Sequence, residues 1–332
     1  MFADFGKARM NEPSEKPQGQ TEFGEQAAMN SAIPEPFGRE VLSSAKHPVH
    51  GVFVGPVGLR SGWRVLLFVL IAATIGFALT GYTSHWQPHG AAKLWLDWLI
   101  EWELFLAVGA TTFLMSRMEK RPWGIYGLPV RGAFGRNFWV GALWGFLWLT
   151  AMMLVMRAGG LFRFDGLAIH GLRIVKFAAF NGLSFLTVGL FEESSTRGYA
   201  QFALAQGIGF WPAAILLSAA FGAVHLGNPG EAWLGILGAA LLGLFFCLTL
   251  RRTGTLWFAV GFHASWDWGE SYFYSVPDSG AMVPGHLLNS SFHGSRWLTG
   301  GSVGPEGSVL VLVIIGLMWA VFDRMYPRAK IS

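Results

Sequence analysis

The sequence predicts an all-α, polytopic membrane protein: about eight transmembrane helices around a polar intramembrane cavity. Three observations carry this expectation. Of 332 residues, 52% are hydrophobic and only 13% charged, where a soluble domain holds about 25% charged residues. Mean hydropathy is +0.42, and the chain contains 28 Phe, 16 Trp and 44 Gly, a composition suited to closely packed helices in lipid. Apolar runs of spanning length then recur from Arg64 almost to the C-terminus. Together these exclude a disordered chain, a collagen and a disulfide-stapled secreted domain. Cys247, the single cysteine, has no intrachain partner. The net charge of +4 and the pI near 9.3 belong to the flanks of membrane spans, since Lys and Arg gather into no single tract. No nucleic-acid partner is expected.

Residues 1–60 carry scattered charges, the polar stretch Asn11-Glu12-Pro13-Ser14-Glu15-Lys16-Pro17 and no periodic apolar pattern. They read as a flexible cytoplasmic tail. No short apolar run precedes a small-residue cleavage site near Met1, so the first span is expected to act as its own insertion signal. Residues 61–332 read as the transmembrane helical domain. A span needs about 20 apolar residues to cross roughly 30 Å of hydrocarbon. The candidates are Val65–Thr83, Leu94–Met115, Phe138–Met156, Phe177–Glu193, Ile208–Val224, Ala232–Leu250, Thr255–Val276 and Val309–Phe322. The last is short.

Lys and Arg near the span ends predict that both termini face the cytoplasm. Arg60, Arg64, Arg117, Lys120, Arg121, Arg251, Arg252 and Arg324 fall on the inner flanks, whereas the loop from Arg157 to Lys176 dissents. Gly141 with Gly145, and Gly235 with Ala239 and Gly243, form small-residue stripes that predict close helix packing. Trp63, Trp98, Trp123, Trp211 and Trp257 are placed at span ends, where an interfacial belt would lie. No internal repeat suggests the inverted halves of a transporter.

An ionisable side chain inside a span costs about 2.5–3.5 kcal/mol on insertion scales, so each one needs a reason. Three clusters stand out. In Glu192-Glu193-Ser194-Ser195-Thr196-Arg197, Glu193 and Arg197 are i, i+4 neighbours able to pair, and Glu192 points about 100° away toward another helix. An ordinary ion pair at a helix end accounts for that cluster equally well. In Phe221-Gly222-Ala223-Val224-His225, the aromatic ring and the histidine share a face. Asn228-Pro229-Gly230 reads as the turn that ends the span, and a hydrogen-bonded structural histidine would suit this place. In His263-Ala264-Ser265-Trp266-Asp267, both ionisable groups project from one helical face. Paired acids and histidines of this kind can activate a water and hold a developing oxyanion.

The three clusters resemble the CPBP family of intramembrane proteases, which unites type II CAAX prenyl proteases with bacteriocin-processing, Abi-like enzymes. The family's pattern is EExxxR, then FxxxH, then HxxxN or HxxxD on successive core helices. Here it reads Glu192-Glu193-x-x-x-Arg197, Phe221-x-x-x-His225 and His263-x-x-x-Asp267. The stretches around His225-Leu226-Gly227 and Gly304-Pro305-Glu306-Gly307 also look like a bacterial branch. The catalytic core would thus be at about 175–320, in a bacterial cytoplasmic membrane.

The resemblance implies an endopeptidase acting on a membrane-associated protein or peptide. Glu192 would be the general base, helped by His225, and His263 with Asp267 would form the oxyanion site. Glu193 and Arg197 would support them, with Glu193 able to contribute to the water site. Family members are described both as metalloproteases and as glutamate-dependent proteases, and Glu192, His225 and His263 are the residues that would hold Zn. With no HExxH present, the reading that requires no cofactor is preferred. Two positions depart from the usual pattern. Ser194-Ser195-Thr196 is unusually polar, and Asp267 stands where many members carry Asn. An amide donates a hydrogen bond, which an ionised carboxylate cannot, so Asp267 must be protonated or act by orienting His263. The alternatives are a membrane transporter, to which Glu101 and Glu103 would contribute, and a non-catalytic peptide-binding or immunity protein. Substrate and oligomeric state are not read from the sequence.

Overall fold

A computed structural model describes residues 52–55, 58–86, 89–228, 230 and 232–331. Most of the expected tail, through residue 51, lies outside them. The tail's last residues form a small antiparallel pair, β1 (Val54–Gly55) with β2 (Gly58–Leu59). From there the chain is helical: α1 (Ser61–Thr83), α2 (Ala91–Met118), α3 (Arg136–Ala158), α4 (Leu172–Arg197), α5 (Tyr199–Ile208), α6 (Phe210–Val224), α7 (Trp233–Thr253), α8 (Trp257–Trp268) and α9 (Val309–Met325). A π-helical turn, Gly269–Tyr274, prolongs α8.

Among the described residues, six helices are long and apolar enough to cross a membrane: Ser61–Thr83, Ala92–Met118, Arg136–Ala158, Leu172–Ile208, Phe210–Gly227 and Trp233–Thr253. The expectation of eight is therefore corrected. At 1.5 Å per residue, the 12 residues of α8 by themselves reach about 18 Å, before the π turn continues them to Tyr274, and the 17 of α9 reach about 26 Å, against roughly 30 Å of hydrocarbon. α8 is enclosed by protein. Phe258, Ala259, Val260 and Phe262 are wholly buried; Phe258, Ala259 and Phe262 pack with Trp144, Phe245 and Phe322 from three neighbouring helices, and Val260 with Phe138 and Leu190. A helix shielded in this way can carry polar groups at little contact with lipid. The outer helix α1 shows the opposite pattern, with Val69, Leu70 and Phe77 exposed, as a lipid-facing surface requires.

Small residues set the spacing around α8. A Cβ at Gly141 would lie 2.1 Å from the Phe258 carbonyl oxygen, and one at Gly145 would lie 2.3 Å from that of Phe262. The GxxxG of α3 is thus a backbone-to-backbone seat for α8. Gly189 on α4 approaches Val260 and His263 in the same manner. The two crossings bring the ends of α4 and α8 together. Trp257, expected at an interface, is instead buried and donates its indole N–H to the Pro129 carbonyl at 3.0 Å.

The positively charged segment after α3 is not a plain loop. β3 (Phe162–Leu167) pairs antiparallel with β4 (Leu288–Phe292), matching Phe162 with Phe292 and Leu167 with Leu288. The Arg157 guanidinium lies 4.6 Å from the Phe164 ring centroid, and that of Arg173 lies 5.9 Å from Phe177. Cation–π contacts give these arginines a local role, which weakens their value as a topology signal.

Candidate active site

α4 runs unbroken through the first cluster. Its three polar residues are accommodated because their hydroxyls bond back to the helix: Ser194 to the Phe191 carbonyl at 3.2 Å, Ser195 and Thr196 to that of Glu192 at 3.0 and 2.7 Å. This local satisfaction permits a polar stretch in an apolar setting. The last turns then direct two glutamates differently. Glu193 is fully buried and its Oε1 accepts from Arg197 Nη1 at 3.0 Å. Glu192 reaches a cavity with its side chain 28% exposed.

Arg197 is itself 1% exposed, and three neighbours admit it. The Phe221 ring of α6 lies 4.3 Å from its Cζ and the Phe246 ring of α7 lies 5.7 Å away. Gly243 leaves the third space, since a Cβ there would stand 2.1 Å from Nη2. The small-residue stripe of α7 therefore does more than pack helices: one of its members makes room for a guanidinium.

His263 of α8 is where the clusters meet. Its Nδ1 lies 2.9 Å from Glu193 Oε1, and its Nε2 lies 3.5 Å from both Glu192 Oε2 and Asp267 Oδ2. Phe246 stacks on the ring at 5.8 Å between centroids. Since Glu193 accepts there, Nδ1 carries the N–H, and Nε2 faces two carboxylates. A proton must occupy that wedge, on the ring or on one of the acids, to avoid three acceptors in contact.

His225 approaches from α6. Its Nδ1 donates to the Phe221 carbonyl at 2.8 Å, which leaves Nε2 as the nitrogen with a free lone pair. Glu192, His225, His263 and Asp267 all line one cavity of about 350 Å³. The short helix α5, not anticipated from the sequence, returns the chain from the end of α4 to α6. It separates two residues that nevertheless share the cavity.

The same wall includes carboxylates that the sequence reading gave no part in the site. Glu101 of α2, Asp278 and Glu306 line the cavity, together with Asn228. Ser271 donates to Asp278 at 3.1 Å, Ser279 to Glu306 at 3.1 Å and the Trp266 indole to Glu306 at 3.2 Å. Burial, with the charges of Asp267 and Glu306, pushes the Asp278 carboxyl well above the usual carboxylate range. Sequence spacing could not assign these residues, because Asp278 and Glu306 follow turns rather than a helical period and Glu101 is on a helix far along the chain from the three clusters. The one hint was Glu306 inside its Gly-Pro-Glu-Gly turn. Glu103, the second acid of α2, instead accepts a hydrogen bond from Thr83.

As donors for a metal, Glu192, His225 and His263 do not gather into a tight set. Among the described residues the group that does is Asp267, Asp278 and Glu306, with one oxygen from each within 4.8 Å of the others. The zinc trio is not gathered in this arrangement, and the hold of Glu193 on His263 Nδ1 is of the kind that orients a metal-ligating imidazole through its other nitrogen.

Residues 174–269 match the family model described as type II CAAX prenyl endopeptidase Rce1-like. The match contains all three clusters and bears out the resemblance to the CPBP intramembrane proteases. No curated protein and no solved structure matches the chain.

Proposed function

With an Rce1-like segment in a helical integral membrane protein as premise, we propose that this chain is an endopeptidase that hydrolyses a peptide bond of a membrane-associated protein or peptide. The observation that carries the reading is His263, gripped at Nδ1 by Glu193 and facing Glu192 and Asp267 at Nε2, on a cavity shared with His225.

In this reading Glu192 and the free Nε2 of His225 hold the attacking water. Glu192 takes a proton as the water oxygen bonds to the scissile carbonyl carbon. The carbonyl oxygen becomes an oxyanion and accepts a hydrogen bond from a protonated His263 Nε2. Collapse of the tetrahedral intermediate breaks the C–N bond, and Glu192 returns its proton to the leaving amine. Asp267 acts through His263, holding the ring and favouring its charged form, so a carboxylate serves where an amide donor is usual. Glu193 and Arg197 are positioning residues: the guanidinium fixes Glu193, and Glu193 fixes the tautomer of His263. No step passes through zinc. A transporter would also use intramembrane acids, but the histidine held between neighbouring glutamates favours hydrolysis.

The test compares membrane peptides from cells making wild-type protein with those from cells making Glu192→Gln. Neo-termini that vanish in the variant while its abundance and thermal stability hold are expected. Rescue of a deletion phenotype by Glu192→Gln, with no peptide changed, would overturn the protease reading in favour of binding or transport.

A further inference from the structure

One wall of the cavity holds more acid than the proposed reaction uses. Asp267, Asp278 and Glu306 each offer an oxygen within 4.8 Å of the other two. They come from different elements: α8, the loop after its π turn, and the turn Pro305–Gly307 ahead of α9. Oxygen-only donors suit a hard cation. Calcium–oxygen distances of about 2.3–2.6 Å keep any two ligands within about 5.2 Å of each other, so three oxygens that all lie within 4.8 Å of one another can share such an ion. Magnesium usually keeps several waters and takes one or two carboxylates, whereas calcium accepts many oxygens in flexible geometry, so three adjoining carboxylates favour calcium.

A fourth carboxylate points to a ligand independently. Glu270, on the π turn, is 0% exposed and neither of its oxygens has a hydrogen-bond partner. The acids whose charge reaches it are Glu306, Asp278 and Asp267. The Trp266 indole N–H, beside these acids, donates to Glu306. A fully buried glutamate facing three more acids is costly unless protons or a cation offset it. The nearby hydroxyl and indole donors supply hydrogen bonds without charge. His263, whose positive form would help, faces Asp267 at 3.5 Å but is shared with Glu192 and Glu193, so one imidazolium serves several acids.

We propose that Asp267, Asp278 and Glu306 form a binding site for a hard divalent cation of the calcium type, whose charge would also offset the buried Glu270 beside them. The ion would tie α8 and its π turn to the Asp278 loop and the Glu306 turn, bracing the wall on which His263 stands. The proposal rests on the carboxylate geometry; it shares Asp267 with the protease reading, and the variants that test it leave that residue in place so that the two are tested apart.

Terbium(III) titrated into the purified full-length chain in detergent tests it, because Trp266 lies against Glu306 and can sensitise terbium luminescence at that site. Saturable luminescence is expected, reversed by Ca²⁺ at lower concentration than by Mg²⁺. The Asp278→Asn/Glu306→Gln double variant should lower terbium affinity at least tenfold. Should the double variant not fold, Glu306→Gln is paired with thermal unfolding: Ca²⁺ raises the melting temperature of the wild type and raises that of the variant far less. Luminescence that does not saturate, or equal responses in wild type and variant, would overturn the site. Displacement by Mg²⁺ at lower concentration than Ca²⁺ would overturn its calcium character. Glu192→Gln should keep terbium affinity within about threefold, so loss of proteolysis and loss of cation binding are read separately.

Discussion

Arg64 and His263 each anchor a cluster of charge taken out of water, and the two clusters are balanced in opposite ways. Around Arg64, the guanidinium grips Glu119 with Nε to Oε1 at 2.8 Å and Nη2 to Oε2 at 2.7 Å. Tyr126 donates to Glu119 at 3.0 Å, Tyr199 donates to it as well, and Gln206 accepts from Arg64 Nη1 at 2.7 Å. One cation meets one anion in bidentate geometry, with neutral donors filling the remaining lone pairs. Around His263, Arg197 neutralises Glu193, while Glu192, Asp267, Glu270, Asp278 and Glu306 stand nearby on or beside a cavity. The first cluster joins α1, α2 and α5 and has no use for a further molecule. The second has an excess of acid and space for water. Buried charge alone does not mark a reactive centre; incomplete pairing beside a cavity does.

The sharpest break of this contrast is Glu192→Gln. Removing a general base lowers rate by about 10²–10⁴-fold, so cleavage of an identified substrate should fall in that range while the melting temperature barely moves. A smaller loss would return Glu192 to the class of the Arg64 cluster, as a structural acid. Arg197→Met comes next, because it strands Glu193 as a buried charge. Breaking such a pair costs about 3–5 kcal/mol, read by denaturant or thermal unfolding in detergent. The Glu193→Gln/Arg197→Met double variant should recover part of that stability without recovering activity, since His263 still loses its charged Nδ1 partner.

Arg64→Met probes the balanced cluster and should destabilise by about 1–3 kcal/mol, the penalty of unsatisfied buried polar groups. Its cleavage rate per folded molecule should match the wild type; a large rate change would join two centres that the geometry keeps apart. Gly145→Ala is expected to cost a similar amount, about 1–3 kcal/mol, because its methyl meets the Phe262 carbonyl and Ser265 Oγ, at 2.3 and 2.4 Å. By moving α8, it should also lower activity, which Arg64→Met should not.

The smallest effect is in pH. The Asp278 carboxyl is raised in the folded chain by burial and neighbouring acids. Above its ordinary value of 3.8, the unfolded chain therefore binds fewer protons than the folded one. Stability falls as pH rises from there through the folded value. In EDTA, the wild-type melting temperature should fall as pH is raised above the ordinary carboxylate value of 3.8, and Asp278→Asn should fall less. Equal drops would remove Asp278 from the acidic excess.

Much of this molecule was legible along the chain. The helices from α1 to α7, apart from α5, follow apolar runs, and α4 and α8 present their paired residues by simple i, i+4 spacing. The contact of Glu193 with Arg197 was available from that spacing, whereas its contact with His263 was not. α5, bounded by Gly198 and Gly209, is not legible as a span because its ten residues are too few to cross a membrane and sit between longer apolar runs. The enclosure of α8 is not legible in its apolarity, because buried protein core and lipid select the same apolar residues. The pairing of β3 with β4 joins segments more than a hundred residues apart and has no local signal.

Composition and periodicity therefore determined by themselves that this is a helical membrane protein with polar clusters on helices in its second half. Those properties are local: the cost of exposing peptide groups to lipid and the 3.6-residue repeat act on each segment separately. Only the tertiary structure decided that α8 is sheathed by other helices and that Gly243 vacates space for Arg197. It also decided that Glu101, Asp278 and Glu306 face the same cavity as His263. Those outcomes depend on close contact between distant backbones, where a methyl group or a turn settles which charges meet.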